Sequence, residues 1–226
     1  MSETYIFAPE TLIKAYSLGV FPMALAHDSP EVHFFEPDER GIIPINPPHI
    51  PRRLLRLVKQ RPYEIRYNTA FHEVISQCAA ITPTRDDSWI NSTIIELYVA
   101  LHAMGFAHSV EVWDGDKLVG GLYGVKLGRA FFGESMFSRI SNASKIALTH
   151  LMARLHYGGF TWLDAQFAND HLTQFGLIEI SKEAFQERLS VAKEGRGDLC
   201  LDKDEDEMIE HLVKLVSAGK LPDAGE

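Results

Sequence analysis

The stretch SVEVWDGDKLVGGLYGVKLGRAFFGESMFSRISNAS, residues 109–144, decides the fold class. Three apolar runs, Ser109–Trp113, Lys117–Lys126 and Arg129–Glu134, are separated by Asp114-Gly115-Asp116 and by Leu127-Gly128. Asp-Gly between apolar runs signals a tight hairpin, because glycine accepts the positive φ that such turns demand. The reading is a three-stranded antiparallel meander. Its last strand is expected to exit at Gly133-Glu134-Ser135, and Asn142 then caps a helix to about Tyr157. An apolar strand has no structural need of Gly-Glu-Ser at its exit. Strand ends and helix starts offer free backbone N–H groups and fixed side chains, so chemistry gathers there.

Outward from this stretch, the elements alternate. Towards the N-terminus, Thr11–Ser17 reads as a helix stopped by Gly19. Residues 21–51 hold seven prolines, a density that excludes long helices and central strands. Short strands are expected at Val32–Phe35 and Gly41–Ile45, in a small N-terminal lobe. A basic helix over 52–60, a strand at Tyr63–Asn68 and helices at Phe71–Ala80 and, capped by Asn91, up to Met104 come next. Beyond the meander and its helix, Phe160–Ala165 is a strand, His171–Phe175 a helical turn, Leu177–Ile180 a strand and Ser181–Ala192 a capped helix. This order describes a mixed α/β (α+β) acyltransferase of the GNAT type. The expected domains are a small Pro-rich one over 1–50, a GNAT-like catalytic one over 51–195 and an acidic C-terminal tail over 196–226.

The 226 residues suffice for one well-buried core plus a small appendage. No apolar run is long enough for a membrane span, which needs about 18 residues or more, and Met1–Phe7 reads as no secretory signal. Cys78 and Cys200 lack metal-type spacing, as do the ten histidines, so no metal and no cofactor are expected. A cytoplasmic monomer with reduced thiols is the expectation. The net charge of −9 argues against a general nucleic-acid binder, but it is uneven. Residues 202–226 carry eight acids and three lysines, whereas 52–66 carry six basic residues and one glutamate. A basic strip on an acidic body can still hold a nucleic-acid end, because screening cuts interactions off beyond about 10 Å.

A second apolar strand also ends in polar groups, at Asp164-x-Gln166-x-x-Asn169-Asp170-His171. Asp164 and Gln166 lie two apart on one strand and so face one side. A carboxylate there can orient the amide and attract a cationic amine; a hydrogen-bond pair that fixes the following turn is the plainer alternative. Glu134 is a candidate cation binder, or else a solvated loop acid or a salt-bridge partner. Asn169 is a candidate partner for a substrate carbonyl, or else a turn cap.

Taken in order over roughly residues 10–190, these pieces resemble the bacterial leucyl/phenylalanyl-tRNA–protein transferases. The matching motifs are Gly19-Val20-Phe21-Pro22, Ser88-Trp89-Ile90, His108–Trp113, Leu118–Gly124, Gly133–Ser138, Asn142–Lys145 and the Asp164–His171 run. The resemblance implies a small N-terminal domain, a GNAT-like C-terminal domain, and transfer of leucine, phenylalanine or methionine from aminoacyl-tRNA. The acceptors it implies are proteins beginning with Arg or Lys, tagged for the N-degron route. It places catalysis on Asp164 and Gln166, with Gln166 holding the amine and Asp164 polarising it. Aligned by motif, the aminoacyl pocket falls on Leu122, Phe131, Leu151, Tyr157 and Leu163. Trp89 is a candidate to stack on the terminal adenosine, or else a helix-start staple. Phe34-Phe35-Glu36-Pro37 stands where the family usually has a Trp pair before Ser-Pro, which keeps stacking but loses an indole donor. Arg52, Arg53, Arg56, Lys59 and Arg61 are the candidate contacts to the tRNA backbone, or else a solvated helix face. Two other readings stay open: a coenzyme A-dependent N-acyltransferase of the same fold, and a non-catalytic tRNA-binding module. Against the former, the loop Ser138-Arg139-Ile140-Ser141 lacks the glycines that let backbone approach a pyrophosphate.

Overall fold

A computed structural model describes residues 8–29, 31–82 and 87–218. In chain order the elements are α1 (Pro9–Ser17), β1 (Phe21–Met23), β2 (His33–Phe35), β3 (Glu39–Pro44), α2 (Arg52–Lys59) and β4 (Glu64–Tyr67). There follow α3 (Phe71–Ala79), α4 (Ser92–Ala103), β5 (Ala107–Asp114), β6 (Lys117–Leu127), β7 (Ala130–Ser138) and α5 (Ala143–Tyr157). Last come β8 (Trp162–Gln166), α6 (Asp170–Thr173), β9 (Ile178–Ser181), α7 (Lys182–Glu194) and α8 (Glu205–Ala218). Strands β1 and β2 make a small antiparallel pair. The other seven form one sheet in the order β4-β5-β6-β7-β8-β3-β9.

The sheet is buried on both faces, so its central strands carry apolar residues at adjacent positions. Each neighbouring pair splits between two cores. Ile43, Leu122, Phe131 and Leu163 pack with Leu148 and Leu151 of α5. Ile42, Tyr123, Phe132 and Trp162 pack with residues of α1, α3, α4 and α7. Helices therefore cover both faces of a mainly antiparallel sheet, which is an α/β fold. Among the described residues, β7–β8 is the one parallel pair, connected through α5. No described helix is long and apolar enough to cross a membrane.

Four sequence expectations need correction. Strand β7 does not end at Glu134 but runs to Ser138, because β6 continues to pair with it as far as Gly120 opposite Ser138. Gly124 faces Gly133 and Tyr123 faces Ser135, so Glu134 is the extra residue of a β-bulge. A Cβ at Gly124 would lie 2.2 Å from the Phe132 carbonyl oxygen, so the bulge needs glycine opposite it. A bulge breaks the apolar alternation and reads in sequence as a strand end.

Second, β3 is not confined to the N-terminal lobe. It lies between β8 and β9, antiparallel to both. Prolines 37 and 44 sit before and at the end of this strand, so its interior keeps its N–H groups. Third, Asn142 adopts φ +67° and makes no side-chain cap. The Ser138 hydroxyl instead accepts the Ser144 N–H at 2.9 Å. Fourth, the acidic segment is not simply a tail. Met208, Ile209 and Leu212 of α8 are buried in the core that α5 shares. Glu205 pairs with Arg154 at 2.6 Å and contacts His150, and Tyr67 donates to it at 2.8 Å. Apolar residues at helical spacing on one side of an acidic helix let it dock. Residues 219–226 of that expected tail lie outside the described residues.

Candidate active site

Strands β7 and β8 pair only over Ala130–Phe132 and Trp162–Asp164. Beyond that point β7 continues along β6, while β8 ends at Gln166. A cavity of about 340 Å³ opens where the two strands part. Its apolar lining is Leu122, Met136, Leu148, Leu151, Leu163 and Leu172, and its polar lining includes Glu134, Gln166, Asn169 and His171. Residues from the bulge of β7 and the end of β8, about thirty positions apart in sequence, thus meet in one pocket, as ligand sites in concave apolar clefts do.

The bulge aims Glu134 at two buried phenols. Tyr16 of α1 donates to its Oε1 at 2.7 Å, and Tyr98 of α4 donates to its Oε2 at 3.0 Å. The two tyrosine oxygens also lie in close contact with each other. Burial pushes the Glu134 carboxyl up to about 7, against the two tyrosine hydrogen bonds, which favour its charged form. The nearby Asp164 charge raises it further, and Arg40 opposes that. Burial, then the Glu134 charge, holds both tyrosines well above their ordinary value, so they stay donors. A carboxyl poised near neutrality in a cleft can hold or release a proton at working pH.

Asp164 lies outside the cavity lining and is fully buried. Arg40 of β3 grips it with two hydrogen bonds, Nε to Oδ1 at 2.9 Å and Nη2 to Oδ2 at 2.5 Å. The third guanidinium nitrogen, Nη1, donates to the Gly19 carbonyl at 3.2 Å. Phe21 and Phe185 each face the guanidinium, 4.5 Å from Cζ. Asp164 Oδ1 also accepts the backbone N–H of Gln166 at 2.9 Å. The carboxylate therefore holds the main chain of Gln166, not its amide. Gln166 adopts φ +58°, and the chain after it crosses Gly41, where a Cβ would come within 3.0 Å of the Phe167 carbonyl carbon.

Asn169 caps α6, its Oδ1 accepting the Leu172 N–H at 2.9 Å, which makes the turn-cap alternative a fact of the structure. His171 lines the same cavity, and burial, then Lys145, lowers its pKa. Of the expected aminoacyl-pocket residues, Leu122, Leu151 and Leu163 line the cavity. Phe131 does not: it is fully buried, edge-on to Phe160. Tyr157 does not either, standing 37% exposed against His211 near the end of α5. Both positions match by motif, but Phe131, on the same sheet face as Leu122 and Leu163, is taken up by core packing, and Tyr157 stands near the C-terminal end of α5 outside the cavity lining.

Trp89 is half-buried before α4 and packs on the core that holds Phe21. Phe35 stacks on Phe21 at 6.3 Å, while Phe34 is exposed on the hairpin. Glu36 is tied to Lys182 at 2.6 Å, which offsets its charge. Between α2 and the start of α5, Arg53, Arg56 and Lys145 line a groove of about 620 Å³. Arg52, Arg56 and Lys59 line another, of about 490 Å³, beside α8. Arg61 is absent from both, lies beyond the end of α2, and pairs with Asp206 at 2.7 Å.

Arg40, Tyr16 and Tyr98 were not expected at the site. Tyr16 and Tyr98 occupy apolar helix positions and read as core. Arg40 had one signal, a lone cation entering the apolar run Gly41–Ile45, which needs a buried anion.

The family model described as leucyl/phenylalanyl-tRNA protein transferase matches residues 42–190, and its N-terminal-domain companion matches residues 6–38. A protein of Hyphomonas neptunium named leucyl/phenylalanyl-tRNA–protein transferase is 59% identical over 186 residues, covering 82% of this chain and 72% of its own. Proteins of the same name from Rhodospirillum rubrum and Phenylobacterium zucineum are 50% and 53% identical, covering 86% and 85% of this chain and 91% and 87% of their own. The cleft between β7 and β8, with polar groups from the β7 bulge and the end of β8, therefore sits in a chain that belongs to the leucyl/phenylalanyl-tRNA–protein transferase family.

Proposed function

We propose that the chain transfers leucine and phenylalanine, and also methionine, from aminoacyl-tRNA to the α-amine of proteins that begin with Arg or Lys. The product is marked for the N-degron route, and the enzyme works as a cytoplasmic monomer. The observation that carries this reading is a leucine-lined cleft with Glu134 and Gln166 at its polar lining, on a body with a basic groove beside α2.

The chemistry asks little of the protein. The ester is already activated, and an α-amine has a pKa of about 7.7–8.0. The site must hold two substrates together and manage one proton. The donor side chain enters among Leu122, Leu151 and Leu163. A β-branched side chain is stiff next to Cα and fits such a slot less well than leucine, phenylalanine or methionine. Gln166 hydrogen-bonds the attacking amine. The amine nitrogen bonds to the ester carbonyl carbon, and the bond to the ribose oxygen breaks. Glu134 takes the proton lost by the amine and passes it to the ribose oxygen as that oxygen leaves. A carboxyl near 7 is well matched to an ammonium of slightly higher pKa. Arg52, Arg53, Arg56 and Lys59 hold tRNA phosphates, while Trp89, Phe34 and Phe35 offer stacking faces to the terminal adenosine.

The test is transfer of labelled leucine from leucyl-tRNA to a peptide beginning with Arg. An Ala-first peptide and acetyl-coenzyme A serve as controls. Transfer to the Arg peptide alone is expected. No transfer despite tRNA binding, or use of acetyl-coenzyme A, would overturn the proposal.

A further inference from the structure

We infer that Arg40 is a positioning residue of the transfer site, acting through Asp164 to set Gln166; the inference rests on the transferase reading above. The guanidinium has no group left for a substrate. It is 1% exposed, its three nitrogens donate to Asp164 and the Gly19 carbonyl, and its faces lie against Phe21 and Phe185. It cannot bind a phosphate or a developing oxyanion. What it can set is the orientation of the Asp164 carboxylate.

That orientation reaches the cavity in one further step. Asp164 Oδ1, held by Arg40 Nε, accepts the Gln166 N–H. Gln166 sits at a left-handed φ of +58°, a setting that a residue with a Cβ keeps only when its surroundings hold it. From there Gln166 lines the cavity, and its Nε2 is buried without a hydrogen-bond partner among the described residues. A buried amide left unpaired in a cleft is an offer to a ligand. Asp164 thus supports the reaction without touching it. The same side chain reaches Gly19 and Phe21, so one guanidinium ties the N-terminal hairpin to the residue that meets the substrate. Lysine cannot replace it, because a single ammonium has neither the planar fork nor the flat faces for two rings.

The experiment compares wild type with Arg40→Lys in leucine transfer to the Arg-first peptide, with kcat, KM for leucyl-tRNA and a thermal melt for each. The expected result is a folded variant whose kcat falls ten-fold or more while KM stays within two-fold. A folded Arg40→Lys with kcat within two-fold of wild type overturns the inference. Should that variant not fold, the double variant Arg40→Gln/Asp164→Asn decides against Asp164→Asn alone. The double variant removes the buried charges together and keeps an acceptor for the Gln166 N–H. It is expected to be at least five-fold faster than the single variant, which strands the Arg40 charge. A double variant no faster than Asp164→Asn overturns the inference, because the reaction would then use the carboxylate charge itself. Wild type that transfers nothing sinks the transferase reading and this inference with it, a result distinct from the other two.

Discussion

Tyr16 donates its phenolic hydrogen to Glu134 Oε1 at 2.7 Å, joining the first helix of the chain to the bulge of β7. Helix α1 thereby enters the electrostatics of a cleft built 118 residues later. Removing this bond with Tyr16→Phe withdraws a donor that favours the ionised carboxyl. The Glu134 pKa should then rise above about 7, by about one unit at the usual strength of a hydrogen bond to a charged group. If Glu134 must be ionised to take a proton, the acidic limb of the kcat–pH profile moves to higher pH. An unmoved limb in a folded variant removes Glu134 from that role.

Glu134 also predicts a stability effect opposite to its effect on activity. Its folded pKa, about 7, lies above the ordinary 4.5, so the group binds its proton more tightly when folded. The resulting penalty is absent below the ordinary value, grows as pH rises, and is complete above the folded one. Glu134→Gln should therefore raise stability at pH 8 by up to about 3 kcal/mol and change it little at pH 4, while transfer falls by at least ten-fold. Denaturant melts at the two pH values check the sign. A variant less stable at pH 8 than wild type counts against it.

The basic groove beside α2 and the apolar cleft separate binding from selection. Arg53→Ala and Arg56→Ala, which remove cations from the groove, should each weaken tRNA binding and reduce the slope of log K against log salt by about one. Arg61→Ala should change that slope little, because Arg61 already pairs with Asp206. Equal slopes for all three variants would mean that the groove is not where phosphates lie.

Leu163 sets part of the depth of the cleft. Leu163→Ala should shift donor preference from leucine towards phenylalanine by about ten-fold, within the ~1–3 kcal/mol that apolar discrimination allows. Stability should fall by about 2–4 kcal/mol, as for other buried leucines cut to alanine. Competition between the two charged tRNAs measures the shift directly.

Helix α8 is held by charge as well as by its apolar face. Glu205 accepts from Tyr67 and pairs with Arg154, and it contacts His150. Burial would raise its carboxyl, but His150 and Arg154 more than offset this and lower it. Its stabilisation is therefore present above the ordinary carboxyl range and is lost as pH falls through the depressed value. Glu205→Ala leaves the largely buried Arg154 without its carboxylate and should cost about 3–5 kcal/mol at pH 7. Chemical denaturation at pH 7 gives the number; a loss under 1 kcal/mol would show that α8 is held by its apolar face alone.

Local signals in the chain determined the elements and the family. Asp114-Gly115 made the hairpin, Asn91 and Ser181 made helix caps, and their side chains accept the expected N–H groups at Ile94 and Ala184. Those signals act within a few residues, so they are legible without a fold. The motif order also singled out Glu134, Gln166, Asn169, Leu122, Leu151 and Leu163, all of which line one cavity. What only the tertiary structure decided is which groups are already used. Asp164 carries no mark of Arg40, 124 positions earlier, because an ion pair across strands depends on the sheet order β8-β3. Phe131 and Phe132 are chemically alike, and only the pleat assigns them to opposite cores. Glu134 became a near-neutral carboxyl through a bulge and two distant tyrosines, since burial and long-range hydrogen bonds exist only once the chain has closed around them.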